Sequence, residues 1–240
     1  MRRKPIAYAL MLLSTVSAAG SLLLFAFRPV GTAILPLHWP ESLLLPWDAL
    51  LSCAFFLQHS GMVRSGFKAR LAAVIPPPFH RAIYSLASGI VLAAVVLLWQ
   101  PSSLHLLTLR GAYRWAAQTA PLLALALFIW GAVAVRDIDF FGLAAIRAGL
   151  RHNPSPPPVF LVRGPYRWMR HPWYCGVLLL IWSCPDLTAD RLLFNVLWTT
   201  WVCLGATLEE KDLLSEFGDA YARYRRQVPM LIPWRGPMKA

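Results

Sequence analysis

The sequence predicts an all-α, polytopic membrane protein: about five to six transmembrane helices, including a C-terminal helical hairpin, plus a cytosolic C-terminal helix. Three observations predict it. The 240 residues are 58% hydrophobic and only 14% charged, more apolar than a soluble core of that size can hide. Apolar runs of spanning length recur along the chain, separated by segments carrying Pro, Gly and Arg. The basic residues, finally, are distributed so that successive connections alternate between rich and poor in Lys and Arg.

The first run, Ile6 to Phe27, follows Arg2-Arg3-Lys4 and passes through Ser17-Ala18-Ala19, an order that imitates a secretory leader. At about 33 Å of helix it is long enough to cross a bilayer, so it is read as a retained first span. Leu43 to Gln58 is a second span of marginal length; Ala82 to Gln100 and Ala116 to Val135 are the next two. Asp137 to Leu150 carries apolar residues at 138, 140, 141, 143, 146 and 150 and predicts a helix lying along the interface. The run Asn153-Pro154-Ser155-Pro156-Pro157-Pro158 then gives a stiff extended connector. Trp173 to Cys184 is too short to span alone and is followed by Pro185-Asp186 and by Leu192 to Leu208, the pattern of a tight hairpin. From Glu209 the sequence EEKDLLSEFGDAYARYRR predicts a cytosolic helix with Leu213, Leu214, Phe217, Ala220, Tyr221 and Tyr224 on one face, weakened or bent at Gly218.

With alternating sides, one face receives 19 of the 23 Lys and Arg residues, leaving Arg28, Arg110, Arg114 and Arg191 for the other. The positive-inside rule puts both termini and the long loops in the cytosol. Trp39, Trp47, Trp99, Trp115, Trp168, Trp173 and Trp234 flank apolar runs and are expected in the interfacial belts. Residues 1–240 are read as one membrane-embedded domain: helices over 1–135, an interfacial helix and loop over 136–172, and the hairpin and tail over 173–240. The net charge of +12 is explained by topology, so no nucleic-acid partner is expected. Cys53, Cys175, Cys184 and Cys203 form no CxxC pair and lie in apolar stretches; they are expected to be buried and inert, with neither metal nor disulfide. No HExxH, GxSxG, Walker or GxGxxG pattern occurs.

Three polar clusters could carry chemistry. Arg163 to Gly176 (RGPYRWMRHPWYCG) includes Tyr166, Arg170, His171, Pro172 and Tyr174 and lies where a loop enters the hairpin. Pro172 sets a helix first turn, whose free N–H groups favour a carboxylate or ribose hydroxyl, and Arg170 adds a planar fork for a carboxylate. The same segment would equally suit lipid headgroups. Glu209-Glu210 ends an apolar run at the membrane surface and asks for a cation, either Arg167 or Arg170 or the sulfonium or ammonium of a bound cofactor. Gln58-His59-Ser60 with Arg64 and Lys68 closes the second span; His59 is a candidate base or a hydrogen-bonded packing residue.

Over Phe160 to Pro233 these residues resemble the isoprenylcysteine carboxyl methyltransferase and phospholipid methyltransferase group of membrane enzymes. The resemblance rests on Gly164-Pro165-Tyr166-Arg167 through Arg170-His171-Pro172-Trp173-Tyr174-Cys175-Gly176, on Glu209-Glu210-Lys211-Asp212-Leu213, and on Phe217 to Tyr224 followed by Val228-Pro229. Trp182-Ser183-Cys184-Pro185, the DIDFFGL run from Asp137 and Leu57 to Arg64 are similar to the bacterial methanethiol S-methyltransferases in particular. The resemblance implies a bacterial inner-membrane enzyme with a cytosolic site, using S-adenosyl-L-methionine to methylate a small hydrophobic thiol, methanethiol first; a prenyl, quinone or lipid acceptor, or an accessory protein without activity, are the alternatives. It implies that Tyr166, His171, Pro172, Tyr174 and Gly176 line the cofactor site, that Glu209 or Glu210 holds the cofactor's amino group, and that Tyr221 and Tyr224 close the site. Arg170, His171 or His59 would stabilise the thiolate, Arg170 first for its permanent charge, with Glu210 also named as catalytic.

Overall fold

The structure is a computed structural model that describes residues 3–27, 33–136, 139, 142–151 and 160–239. It contains helices α1 (Arg3–Phe27), α2 (Glu41–Met62), α3 (Ser65–Ala72), α4 (His80–Leu98), α5 (Gly111–Ala134), α6 (Leu143–Leu150), α7 (Pro172–Trp182) and α8 (Ala189–Gln227), with short strands β1 (His105–Thr108) and β2 (Asp186–Thr188). Four segments, Pro5–Phe27, Pro77–Leu98, Gly111–Ala134 and Ala189–Gln227, are long and apolar enough to cross a membrane, and α7 is a shorter apolar helix. The protein is an all-α integral membrane protein. Only 11% of the most apolar stretch of α5 is covered by protein, and Leu122, Leu123, Ile129 and Val133 all point outward, which only a lipid solvent tolerates along a whole helix.

Two compact units emerge: Met1–Leu104, Ile138–Pro157 and Thr188–Phe194 form the first, and His105–Asp137, Pro158–Leu187 and Asn195–Ala240 the second. In the first, α1 and α4 approach so closely that a Cβ on Gly89 would lie 2.4 Å from the Ser17 hydroxyl oxygen. Ser17 donates to the Leu86 carbonyl at 3.1 Å, the small-residue contact that lets helices associate in lipid. Helix α2 packs on α4 as well, with Gln58 donating to Ser88 at 3.2 Å and Trp47 to the Leu98 carbonyl at 3.1 Å.

One end of this unit is tied by a buried polar knot. Asp48 accepts from the Gln100 backbone at 3.0 Å, and Asp190 accepts from the Trp99 indole and the Ser102 backbone at 3.0 Å each. Trp99 is therefore no belt residue: it is fully buried, because its N–H has a carboxylate to reach inside the protein. Helix α6 is the observed part of the interfacial helix. Asp139 accepts from the backbones of Leu143 and Ala145 at 2.8 and 2.9 Å, supplying the N-terminal cap, and Ile146 packs with Ala7, Met11 and Ala82. The remaining apolar positions expected of that helix, 138, 140 and 141, and the 153–158 connector lie outside the described residues.

In the second unit α7 packs against α5. A Cβ at Gly131 would fall 2.1 Å from the Trp173 indole nitrogen, and one at Gly176 would fall 2.8 Å from the Phe128 ring. Strands β1 and β2 pair into a two-stranded sheet, which the hydropathy pattern did not predict, and Arg114 grips Asp186 in a bidentate pair at 2.9 Å. The cysteines depart from expectation. Cys53 and Cys203 are exposed and Cys175 and Cys184 half-buried, since apolar faces of spanning helices turn toward lipid as readily as toward the core.

Candidate active site

The amino end of α7 is built by two returning stretches of chain. Arg170 and His171 donate their backbone N–H groups to the carbonyls of Pro229 and Met230 at 2.9 and 3.1 Å, and Pro172 occupies the first turn of the helix, where a missing N–H costs nothing. Upstream, the Tyr224 hydroxyl donates to the Tyr166 carbonyl at 2.7 Å, and Arg167 exchanges hydrogen bonds with the Met238 backbone at 2.7 and 2.8 Å. The segment 166–171 is thus fastened to the tail before any side-chain chemistry begins.

That fastening depends on a chain reversal inside α8. Gly218 has φ +52° and ψ −128°, a conformation L side chains avoid. A straight helix would put Glu210 and Arg225 about 22 Å apart, yet the Arg225 Nε lies 3.4 Å from the Glu210 carboxylate. Residues 219–227 therefore turn back along the preceding limb. Tyr221, Tyr224 and Val228 pack with Phe160, Val162, Leu213 and Phe217. Phe160 meets Phe217, Tyr221 and Tyr224 at ring separations of 5.3, 5.9 and 5.4 Å.

Two adjacent carboxylates face the ring of His171 in different states. Glu210 is buried: Arg170 Nε donates to it at 2.6 Å and His171 Nε2 approaches the same oxygen at 3.2 Å. A carboxylate only accepts, so Nε2 carries the proton. Arg170 also reaches the carbonyls of Arg225, at 3.0 Å, and Val228. Side-chain exposures of 10% for Arg170 and 7% for Glu210 mark this as an interior ion pair. Glu209, by contrast, is 48% exposed. It accepts from the Tyr174 hydroxyl at 2.9 Å and stands 3.7 Å from His171 Nδ1, while the Tyr174 and His171 rings stack at 5.2 Å and 7°.

Burial, and secondarily the Glu209 charge, pushes Tyr166 up to about 12. Tyr221 is 1% exposed, and its hydroxyl is buried with no hydrogen-bond partner.

Most residues singled out in the sequence thus converge. Tyr166, Arg170, His171, Pro172, Tyr174, Glu209, Glu210, Tyr221 and Tyr224 share the second unit. Gly176 belongs to it too, but its bare Cα meets Phe128 in the α5 contact. His59 lies in the first unit, where its Nε2 is 2.7 Å from the Tyr84 hydroxyl and its ring packs on Phe55 and Tyr84 at 5.0 and 5.1 Å. Arg225 and Met230 were not singled out, and Val228-Pro229 entered only as part of the resemblance, with no role for their carbonyls; the one available signal was Gly218, since only a reversal there brings residues 15 apart in a helix together.

This constellation, two adjacent acids closing on an Arg-His-Pro helix start, can be compared with known proteins. A methanethiol S-methyltransferase of Pseudomonas sp. (strain GM41(2012)) is 36% identical over 206 residues, covering 84% of this chain and 77% of its own length. The chain belongs to the methanethiol S-methyltransferase family. A methanethiol S-methyltransferase of Mycobacterium tuberculosis (strain ATCC 25618 / H37Rv) is 30% identical over 217 residues, covering 88% of this chain and 89% of its own. More distantly, nurim of Sus scrofa is 26% identical over 190 residues, 72% of this chain and 70% of its own. No protein-family model and no solved structure matches the chain.

Proposed function

We propose that this protein transfers a methyl group from S-adenosyl-L-methionine to methanethiol, giving dimethyl sulfide, at a site on the cytosolic face of a bacterial inner membrane. The observation that carries it is the unequal pair of carboxylates around His171 in a chain of the methanethiol S-methyltransferase family: Glu210 consumed by Arg170, Glu209 left half-exposed.

The residues fit such a methyl donor. The buried, unpartnered Tyr221 hydroxyl is a polar group whose burial without a partner costs about 1 to 3 kcal/mol, which a ligand hydrogen bond would recover. Glu209 offers a carboxylate to an ammonium, and the first turn of α7 offers backbone N–H groups to a carboxylate or hydroxyl. S-adenosyl-L-methionine supplies a methyl group activated by a sulfonium charge.

The chain's own work is positioning and exclusion of water. Arg170 and Glu210 hold the loop to the tail. The guanidinium is committed to three protein oxygens, which makes Arg170 a positioning residue rather than a cation for the thiolate. Phe160, Phe217, Tyr221 and Tyr224 give the site an apolar wall. Methyl transfer to a thiolate neutralises charge, so poor hydration lowers its barrier provided the atoms are held in line.

Purified protein supplied with S-adenosyl-L-methionine and methanethiol should release dimethyl sulfide into the headspace, measured by gas chromatography. Absence of product together with absence of heat on titration with S-adenosylhomocysteine would overturn the assignment. Binding without product would instead direct the search to longer thiols.

A further inference from the structure

Beside the proposed site, the second unit contains a cavity of about 310 Å³ lined by Trp130, Val133, Ala134, Arg136, Arg163 and Gly164. It sits at the carboxyl end of α5, a spanning helix, where the loop after residue 160 crosses beneath it. Its floor is tightly made. Gly164 has φ +58°, and a Cβ there would come within 2.9 Å of the Ala134 Cβ and 3.2 Å of the Trp130 indole nitrogen. Arg163 donates its Nε to the Ala134 carbonyl, so one cation is fixed to the helix end. Arg136 is exposed at the rim.

A helix carboxyl end carries about half a negative charge and by itself repels anions. Two guanidinium groups line the cavity at this end, and Arg163 covers one of the carbonyls responsible. The wall continues directly into an apolar strip, with Ile129 56%, Trp130 45% and Val133 59% exposed, on a helix that is almost bare of protein cover. Cationic donors at the level where a span ends, a half-exposed tryptophan, and an adjoining surface for acyl chains together match one ligand.

We propose that this cavity binds the phosphate of an anionic phospholipid, whose acyl chains lie along α5. The phosphate would take hydrogen bonds from Arg136, Arg163 and the Trp130 indole, bidentate contacts for which guanidinium is suited. The inference rests on α5 spanning the membrane and not on the methyl-transfer proposal.

The test is native mass spectrometry of the full-length protein in detergent, titrated separately with phosphatidylglycerol, phosphatidylcholine and inorganic phosphate. Wild type should retain phosphatidylglycerol well above phosphatidylcholine. The Arg136→Gln/Arg163→Gln double variant should weaken phosphatidylglycerol retention about ten-fold or more, because it removes both cations that attract the headgroup. Arg136→Gln alone leaves the Arg163 tie to Ala134 in place and should still weaken it several-fold. Lys68→Gln/Arg70→Gln, which removes the same charge from exposed positions on α3, should leave retention unchanged. Equal weakening in the α3 variant, equal retention of the two lipids, or retention of inorganic phosphate in place of lipid would each overturn the proposal.

Discussion

At the residue scale, Glu209 and Glu210 are neighbours in sequence with opposite environments, and magnitudes separate their roles. Removing one partner of an interior pair such as Arg170–Glu210 leaves an uncompensated buried charge, costing about 3 to 5 kcal/mol. An exposed carboxylate such as Glu209 contributes less than about 1 kcal/mol to stability. Glu210→Ala is therefore expected to lower the thermal unfolding midpoint markedly and to abolish dimethyl sulfide formation. Glu209→Gln should unfold like wild type, within about 1 kcal/mol, while raising the KM for the methyl donor about ten-fold, a change read from initial rates; an unchanged KM would remove Glu209 from the cofactor site. The acidic pair was legible in the sequence as a request for a cation. Which acid is buried was not, because that depends on the Arg225 and Val228 groups brought in by a distant turn.

At the element scale, Gly218 decides whether α8 is a rod or a hairpin. A Cβ there would meet nothing within 4 Å, so any penalty of Gly218→Ala comes from backbone conformation alone, about 1 to 3 kcal/mol. The expected outcome is a destabilised tail with greatly reduced methyl transfer, checked by thermal unfolding and by proteolysis after Arg225 or Arg226. Retained activity and stability would show that the reversal is dispensable. The sequence revealed a weak point in the helix but not its direction, since a glycine can bend a helix, cap it or reverse it, and only the φ and ψ values distinguish these. The spans over α1, α4 and α5 were more legible, because spanning length and hydropathy follow from the bilayer, whereas Leu43 to Gln58, expected as a second span, lies in α2, which is not among the described segments long and apolar enough to cross. The strands β1 and β2 were missed for a related reason: four and three residues are too few to show a period.

At the scale of the whole molecule, charge asymmetry predicts orientation. On a background with the four native cysteines replaced by Ser, Arg110→Cys should react with an impermeant maleimide in intact cells, and Lys68→Cys only after lysis; the reverse pattern would invert the topology. The Trp99 and cysteine expectations failed because hydropathy reports that a residue sits in an apolar run, not whether its neighbour is lipid or protein. The returning limb at residues 219–227 also has a thermodynamic corollary. Tyr221, Tyr224 and Arg225 are carried on one short lever about 13 Å long, so all three side chains dock or detach as a unit. Their single substitutions should then be strongly subadditive: once Tyr224→Phe and Arg225→Gln have each been measured, the double variant should fall short of the sum by about 1 kcal/mol, while either one should add fully to a substitution at Trp99 in the other unit.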